Sequence, residues 1–175
     1  MWGIVGYAPE PLSAANEVYA RHGERLGRLI DRRLTGATGL AFRDDGSWSH
    51  AGPVLLDFDG LRLEVLAEGF DTLYVSWNSI DATRPIEQDE DPDLALDWSA
   101  LALDEIGAIL TDVHILETFV RLVPEDGDPI EAWLLAGFEF EFADGREVQL
   151  VNGLDSLRLA SEPVDSPDWR RRPGH

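Results

Sequence analysis

Two stretches of the sequence alternate apolar and polar residues and then turn at an Asp-Gly pair. In residues 138–159, every second position from Phe138 to Phe142 is phenylalanine, and Asp144-Gly145 follows. Alternation with a period of two is typical of a half-buried strand, and Asp-Gly closes tight hairpins because both residues tolerate positive φ. In residues 55–77, Asp59-Gly60 takes the same place between two apolar runs. The sequence therefore predicts antiparallel meanders as the main element of the fold.

Each meander is preceded by a segment with helical periodicity. The apolar spacing predicts a helix from Ser13 to Leu34 and a shorter one from Ser99 to Leu110. We therefore predict an α+β fold, mainly antiparallel β, made of two tandem repeats, each a helix followed by a meander of about four strands. Repeat 1 covers residues 13–78 and repeat 2 covers residues 98–160. Because an isolated meander leaves its apolar face exposed, we expect the two to pack together in one curved sheet or barrel-like domain.

The segment between the repeats, residues 79–97, is acidic and contains Pro85 and Pro92. Its only basic residue is Arg84, and we expect an exposed linker because the prolines prevent regular structure. Residues 161–175 are polar and contain proline, so a loose C-terminal tail is expected. The chain of 175 residues is long enough to form one domain with its own core.

The net charge narrows the classes of partner. The chain carries 34 acidic residues and 14 basic ones, all of them arginine, for a formal net charge of −20. Such a surface repels nucleic acids and anionic membranes and attracts basic proteins, although solubility alone also explains an acidic surplus. The use of arginine without lysine fits the coding bias of a GC-rich bacterial genome. With no cysteine, no signal-like start and no apolar run near about 20 residues, we expect a soluble, cytoplasmic protein without disulfides.

No pattern in the sequence predicts catalysis, a metal or a cofactor. The four histidines stand 28, 64 and 61 residues apart, without metal-binding spacing. The acidic run 89–93 lacks the glycine and glutamate that a calcium-binding EF-hand loop requires. Because strand carboxylates alternate with core positions, we expect them to face water with ordinary pKa values. The pairs considered are Asp57 with Glu64, and Glu139 or Glu141 with Glu147.

Tryptophan beside exposed carboxylates is the pattern that best indicates a binding surface. Trp77 precedes the acidic linker and Trp98 follows it. Aromatic anchors with complementary charge are typical of surfaces that bind basic proteins, and burial of both rings at the ends of the core is the common alternative. The predicted partner-binding residues are Trp77, Asn78, Asp81, Glu87, Asp89, Glu90, Asp91, Asp93, Asp97 and Trp98.

Two parts of the sequence resemble a group of uncharacterised actinobacterial proteins. The first is P-x-x-L-D-F-x-G-x-x-L-E-V at Pro53 to Val65, followed by V-S-W-N-S-I-D at Val75 to Asp81. The second is F-x-F-x-D-G-x-x-x-x-L-x-N at Phe140 to Asn152. Those proteins are duplicated β-rich domains, some of which are thought to be immunity proteins of polymorphic toxin systems. The resemblance spans most of residues 25–160, and because its motifs are turns and strand faces, it implies a fold and no active-site residues.

We rank three functions by how well the sequence supports them. The first is an acidic immunity or antitoxin-like protein that neutralises a basic partner, such as a nuclease toxin, by direct binding. The alternative is a small-ligand-binding domain with its pocket between the two repeats. An enzyme ranks third, and a buried carboxylate pair or clustered histidines would favour it. We predict no catalytic residues, no cofactor, no metal, no nucleic acid and no membrane as a partner.

Overall fold

The computed structural model describes residues 3–86, 95–123, 128–154, 156–161 and 167–175. These residues contain one α-helix and twelve β-strands, and every strand pair is antiparallel. The prediction of an α+β fold that is mainly antiparallel β is therefore confirmed. The helix, α1 (Ala15–Gly27), has 13 residues, and no helix of the described residues is long and apolar enough to cross a membrane.

Sheet 1 combines the strands of the first half of the chain with one strand that begins at the end of the acidic segment 79–97. Its strands are β1 (Pro11–Leu12), β2 (Leu34–Phe42), β3 (Trp48–Ser49), β4 (Val54–Phe58), β5 (Leu61–Glu68), β6 (Thr72–Trp77) and β7 (Leu96–Ala100). The order is β1-β6-β5-β4-β2-β3, and β7 also pairs with β2. Leu40 pairs with both Ser49 and Trp98, so β3 and β7 lie on opposite sides of β2.

Sheet 2 is formed by the second half of the chain. Its strands are β8 (Leu110–Leu122), β9 (Ile130–Phe142), β10 (Glu147–Asn152), β11 (Leu157–Ala160) and β12 (Trp169–Pro173). The order is β11-β10-β9-β8-β12. Neither strand order closes on itself among the described residues, so the barrel-like closure is not found.

The hairpins follow the turn chemistry of the sequence. Asp59 and Gly60 have φ values of 41° and 84°, and Phe58 pairs with Leu61 across them. Gly145 has a φ of 82° in the corresponding turn between β9 and β10. Positive φ at these positions twists the turn to match the strands that it joins, so these hairpins form where the sequence predicts them.

One apolar cluster joins both sheets and the helix. Phe58 of sheet 1 and Phe140 of sheet 2 lie with their ring centroids 6.1 Å apart. Val18 and Leu26 of α1 are fully buried in the same cluster. Burial of each such side chain contributes about 1.5–3 kcal/mol. The apolar faces of the two meanders are therefore buried against each other, as expected.

The helix ends earlier than its apolar periodicity predicts. It stops at Gly27, and Asp31 then takes a left-handed conformation with φ of 64°. The backbone beyond it pairs with the start of sheet 2, since the Asp31 amide donates to Leu110 and the Leu34 amide donates to Ala108. These long-range hydrogen bonds replace the last helical turns that the sequence predicted.

The predicted helix from Ser99 to Leu110 is wrong. Its first residues belong to β7, and the Leu101 amide donates to the Ala37 carbonyl of β2. Gly107 has a φ of 96°, which interrupts a helix. The strand order β2-β4-β5-β6 does parallel β8-β9-β10-β11. The helix-plus-strands unit, however, is not duplicated in the described residues.

Two segments predicted to lie outside the fold are partly built into it. Leu96, inside the expected linker, is buried in β7, and Ile80 is buried as well. The expected loose tail contains β12, whose five residues pair with β8 from Trp169↔Thr118 onward. An edge strand forms here because β8 has a free side for pairing, which sequence periodicity does not reveal.

Candidate functional site

Trp98 lines a small cavity at the outer face of sheet 1, opposite the shared core. The cavity has a volume of about 230 Å³, and its walls include Ile4, Asp81, Arg84 and Ile86. Trp98 packs against a separate apolar cluster that includes Ile4. Two of the predicted partner-binding residues, Asp81 and Trp98, are therefore brought together. We call this space the Trp98 cavity.

Trp77 lies on the other face of sheet 1. It pairs with Leu63 and packs against the shared core, whereas Trp98 packs against the outer cluster. Its indole N–H donates to Nδ1 of His22 across 3.2 Å. The two tryptophans do not form one surface, because they pack against clusters on opposite faces of sheet 1.

The other predicted partner-binding residues have defined neighbours or lie outside the described residues. The Asp97 carboxylate accepts two hydrogen bonds from Arg43, which hold its pKa below the usual range. Asp81 accepts from Thr83 and Arg84, and its pKa is lowered for the same reason, with Thr83 the larger cause. Asn78 accepts from the Arg62 amide and has a φ of 52°. The remaining five, which lie outside the described residues, are Glu87, Asp89, Glu90, Asp91 and Asp93.

A larger groove lies between the start of α1 and strand β12. Its volume is about 620 Å³, and its lining includes Tyr19, Glu117, Arg170 and Arg172. Nε of each arginine donates to the same oxygen of Glu117, at 2.6 Å and 2.9 Å. Burial raises the pKa of Glu117, but the hydrogen bonds from the two arginines outweigh it and hold the pKa below its usual value. We call this space the Arg170–Arg172 groove.

Glu64 is fully buried on the outer face of sheet 1, which corrects the expectation that it faces water. Its carboxylate accepts from the backbone amides of Ser79 and Ile80, each at 2.7 Å, and from the hydroxyls of Ser76 and Ser79. Four donors compensate the loss of water. Glu64 therefore fixes the start of the loop that carries Asp81 into the Trp98 cavity.

Glu139 is the second fully buried carboxylate, on the outer face of sheet 2. Burial raises its pKa, yet hydrogen bonds from Arg171 and Gln149 outweigh it and keep the pKa low. His114 and Glu141 stand nearby, with one ligand atom from each of the three residues within 4.8 Å of the others. Arg171 already supplies the cation next to Glu139, which argues against a metal ion there. The absence of a metal site stays a prediction.

Sequence reasoning missed the arginines of β12. Arg170 and Arg172 point to one face of the strand and Arg171 to the other, as alternation requires. The only available signal was the Trp-Arg-Arg-Arg run itself. Its partners, Glu117 and Glu139, lie 53 and 32 residues away along the chain, so spacing could not reveal the pairs.

No protein-family model, no curated protein and no solved structure matches the chain.

Proposed function

We propose that the protein is an acidic binding module that holds a basic partner protein at the Trp98 cavity, as an immunity or antitoxin protein holds its toxin. The observation that carries the proposal is the joint lining of this cavity by Trp98 and Asp81, which flank the acidic segment 87–97 in the sequence. That segment begins directly after Ile86, another wall residue. An aromatic wall beside a carboxylate suits an inserted arginine or lysine side chain.

The size of the cavity favours a protein side chain over a free metabolite. Its volume of about 230 Å³ lies below the roughly 300–1,000 Å³ of small-molecule pockets. A single side chain from a partner, with further contacts around the rim, suits this space. The setting that we propose is the cytoplasm of a bacterium.

Most arginines pair with carboxylates of the same chain, so the net charge of the surface stays negative. Ten of the fourteen arginines form ion pairs with carboxylates of this chain within the described residues. The formal charge of −20 is therefore not offset by a separate basic face made of these ten side chains. Long-range attraction then steers a basic protein toward the chain and weakens with salt.

Arg84 occupies the place that the partner's basic side chain would take. Its Nε donates to Asp81 across 3.2 Å, and both side chains are more than half exposed. Exposed pairs of this kind contribute only about 0–1 kcal/mol, so a partner can replace Arg84 at low cost. Removing Arg84 should therefore strengthen partner binding.

The test is a capture experiment with matched baits at low and high salt. Five baits are compared. They are wild type, Trp98→Phe, Trp98→Ala, Arg84→Gln and a fourfold variant in which Asp89, Glu90, Asp91 and Asp93 are neutralised. The supporting result is one basic protein whose retention falls with salt, falls with Trp98→Ala, is restored by Trp98→Phe and rises with Arg84→Gln.

A bait altered on the opposite face of sheet 1 is the control. Trp77→Phe should capture the same protein as wild type, because Trp77 faces the shared core. Equal capture by wild type and Trp98→Ala, with both folded by circular dichroism, would exclude the Trp98 cavity. Full retention by the fourfold variant would remove the acidic segment from the contact surface.

A further inference from the structure

The arginines of the Arg170–Arg172 groove bind their carboxylate differently from the bidentate arginines of sheet 1. Arg43 and Arg62 each use two nitrogens to bind both oxygens of one aspartate. Arg170 and Arg172 instead share one oxygen of Glu117, and each uses only its Nε. In the described part of the chain their terminal nitrogens have no bonded acceptor. The two terminal nitrogens of a guanidinium can together bind a carboxylate or phosphate in a bidentate manner.

The two guanidinium groups are held in place before any ligand arrives. Glu117 has only 8% of its side chain exposed, so its anchoring oxygen is fixed in the protein. The Arg170 guanidinium also lies 4.2 Å above the ring centre of Trp133. Arg170 and Arg172 themselves are 32% and 50% exposed, so they remain accessible. A binding group fixed in advance loses less entropy when a ligand binds.

The local charge is positive although the chain is strongly negative. One carboxylate faces two guanidinium groups, which leaves a surplus of one positive charge at Glu117. The first turn of α1 lines the same groove, and its N-cap, Ala14, has no side-chain capping bond. The partial positive charge of a helix start adds to the attraction for an anion. Glu17, in that turn, is occupied with the Ser13 amide.

We infer that the Arg170–Arg172 groove binds a small organic oxyanion, a carboxylate or phosphate on an aromatic or apolar body. Arg170 and Arg172 would bind the oxyanion, and Tyr19, Ala15 and Pro173 would contact the body. The volume of about 620 Å³ falls within the roughly 300–1,000 Å³ of small-molecule pockets. A polyanion such as nucleic acid does not fit, because the net charge of −20 repels it. The inference does not depend on the proposed protein partner.

The experiment titrates four probes into the full chain: benzoate, phenyl phosphate, inorganic phosphate and neutral benzamide. Binding is followed by the NMR signals of the arginine Nε–H groups. Benzoate or phenyl phosphate should shift the Arg170 and Arg172 signals with a Kd of about 1 mM or tighter. The tighter of the two identifies a carboxylate or a phosphate as the natural head group. Benzamide should cause no shift.

Variants separate this site from nonspecific anion binding. Arg172→Gln should weaken binding of the preferred probe at least about tenfold, which is about 1.4 kcal/mol. Tyr19→Ala should weaken the binding of phenyl phosphate but leave the binding of inorganic phosphate unchanged. Arg121→Gln, which alters an exposed pair with Glu131 elsewhere on β8, is the matched control and should bind as wild type.

Two results would overturn the inference. One is the absence of any shift of the Arg170 and Arg172 signals at about 10 mM of every anionic probe. The other is equal binding by Arg172→Gln and Arg121→Gln, which would assign the shifts to general ionic effects. If inorganic phosphate binds as tightly as phenyl phosphate, the role of the aromatic body is excluded.

Discussion

Trp77 donates its indole N–H to Nδ1 of His22 across 3.2 Å, which joins the end of β6 to the middle of α1. The two rings lie 6.4 Å apart and are tilted by 40°. Nδ1 can accept this bond only when it carries no proton. Burial, followed by the charges of Arg25 and Arg21, lowers the pKa of His22. The contact between helix and sheet therefore depends on a neutral imidazole.

Stability should fall in mildly acidic solution because of His22. Its pKa is lower in the folded chain than the ordinary value of 6.5, so the unfolded chain takes up the proton first. The contribution of His22 is complete above pH 6.5 and is lost as the pH falls through the folded pKa. In urea unfolding between about pH 7 and about pH 5, wild type should lose more free energy of unfolding than His22→Gln. Glutamine can accept the same bond without titrating, so parallel pH profiles would contradict this role.

Glu64 should matter more for stability than any exposed glutamate. Glu64→Gln keeps the shape but replaces an acceptor of four hydrogen bonds with a group that must also donate. We expect a loss of about 2–3 kcal/mol in the free energy of unfolding. Hydrogen exchange at the Ser79 and Ile80 amides should accelerate. Glu24→Gln, in an exposed helical pair with Arg28, is the control and should cost about 0.5 kcal/mol or less.

Replacing Arg171 should destabilise the protein more than replacing Glu139, its partner in an ion pair. Glu139 is fully buried, whereas the Arg171 side chain is 45% exposed. Arg171→Ala leaves a buried carboxylate with its positive partner removed, and should cost about 2–3 kcal/mol. Glu139→Gln leaves an arginine that water can reach, and should cost less. Chemical denaturation of both variants checks this order. Arg121→Ala, which removes an exposed ion pair with Glu131, is measured beside them as the control. A smaller loss for Arg171→Ala than for Glu139→Gln would contradict it.

Acid should weaken the two groups of ion pairs that Glu117 and Glu139 form with the arginines of β12. The pKa values of Glu117 and Glu139 are held below 4.5 by their arginines, although burial acts in the opposite direction. Groups with a lowered folded pKa contribute stability above the unfolded pKa and lose it as the pH falls through the folded pKa. Unfolding of wild type should therefore become easier below pH 4.5. The pH profile of a double variant, Glu117→Gln with Glu139→Gln, should be flatter in this range.

Alternation identified the strands because it reports directly which side chains meet the core. β4 (Val54–Phe58) ends directly before Asp59-Gly60, the turn that the sequence predicts between two apolar runs. The helix predicted for residues 99–110 was wrong because apolar residues at helical spacing also fit a strand followed by turns. Backbone bonds from Leu101 to Ala37 and from Gly107 to Leu34 decide the conformation there. Such bonds depend on partners far along the chain.

The candidate sites were harder to predict, because alternation says which face a residue takes but not what covers that face. Glu64 and Glu139 are on the outer faces, as expected, yet both are buried. Ser79 and Ile80 cover the first, and Arg171 pairs with the second. Trp98 and Asp81 were identified from composition, but their cavity depends on Ile4, a residue far along the chain.

Gly137 is the glycine whose replacement should be most damaging. It lies in β9 with a φ of 150°, and a Cβ there would overlap the carbonyl oxygen of Leu150 on the neighbouring strand. Both strain and overlap act on backbone that cannot move without breaking the sheet, so Gly137→Ala should cost about 3 kcal/mol or more. Gly145→Ala is the matched control, because Gly145 also has positive φ, at 82°, but no atom within 4 Å of the added Cβ. It should cost about 1 kcal/mol, through the turn conformation alone. Equal losses for the two variants in thermal or urea unfolding would show that β9 and β10 adjust to a side chain at Gly137.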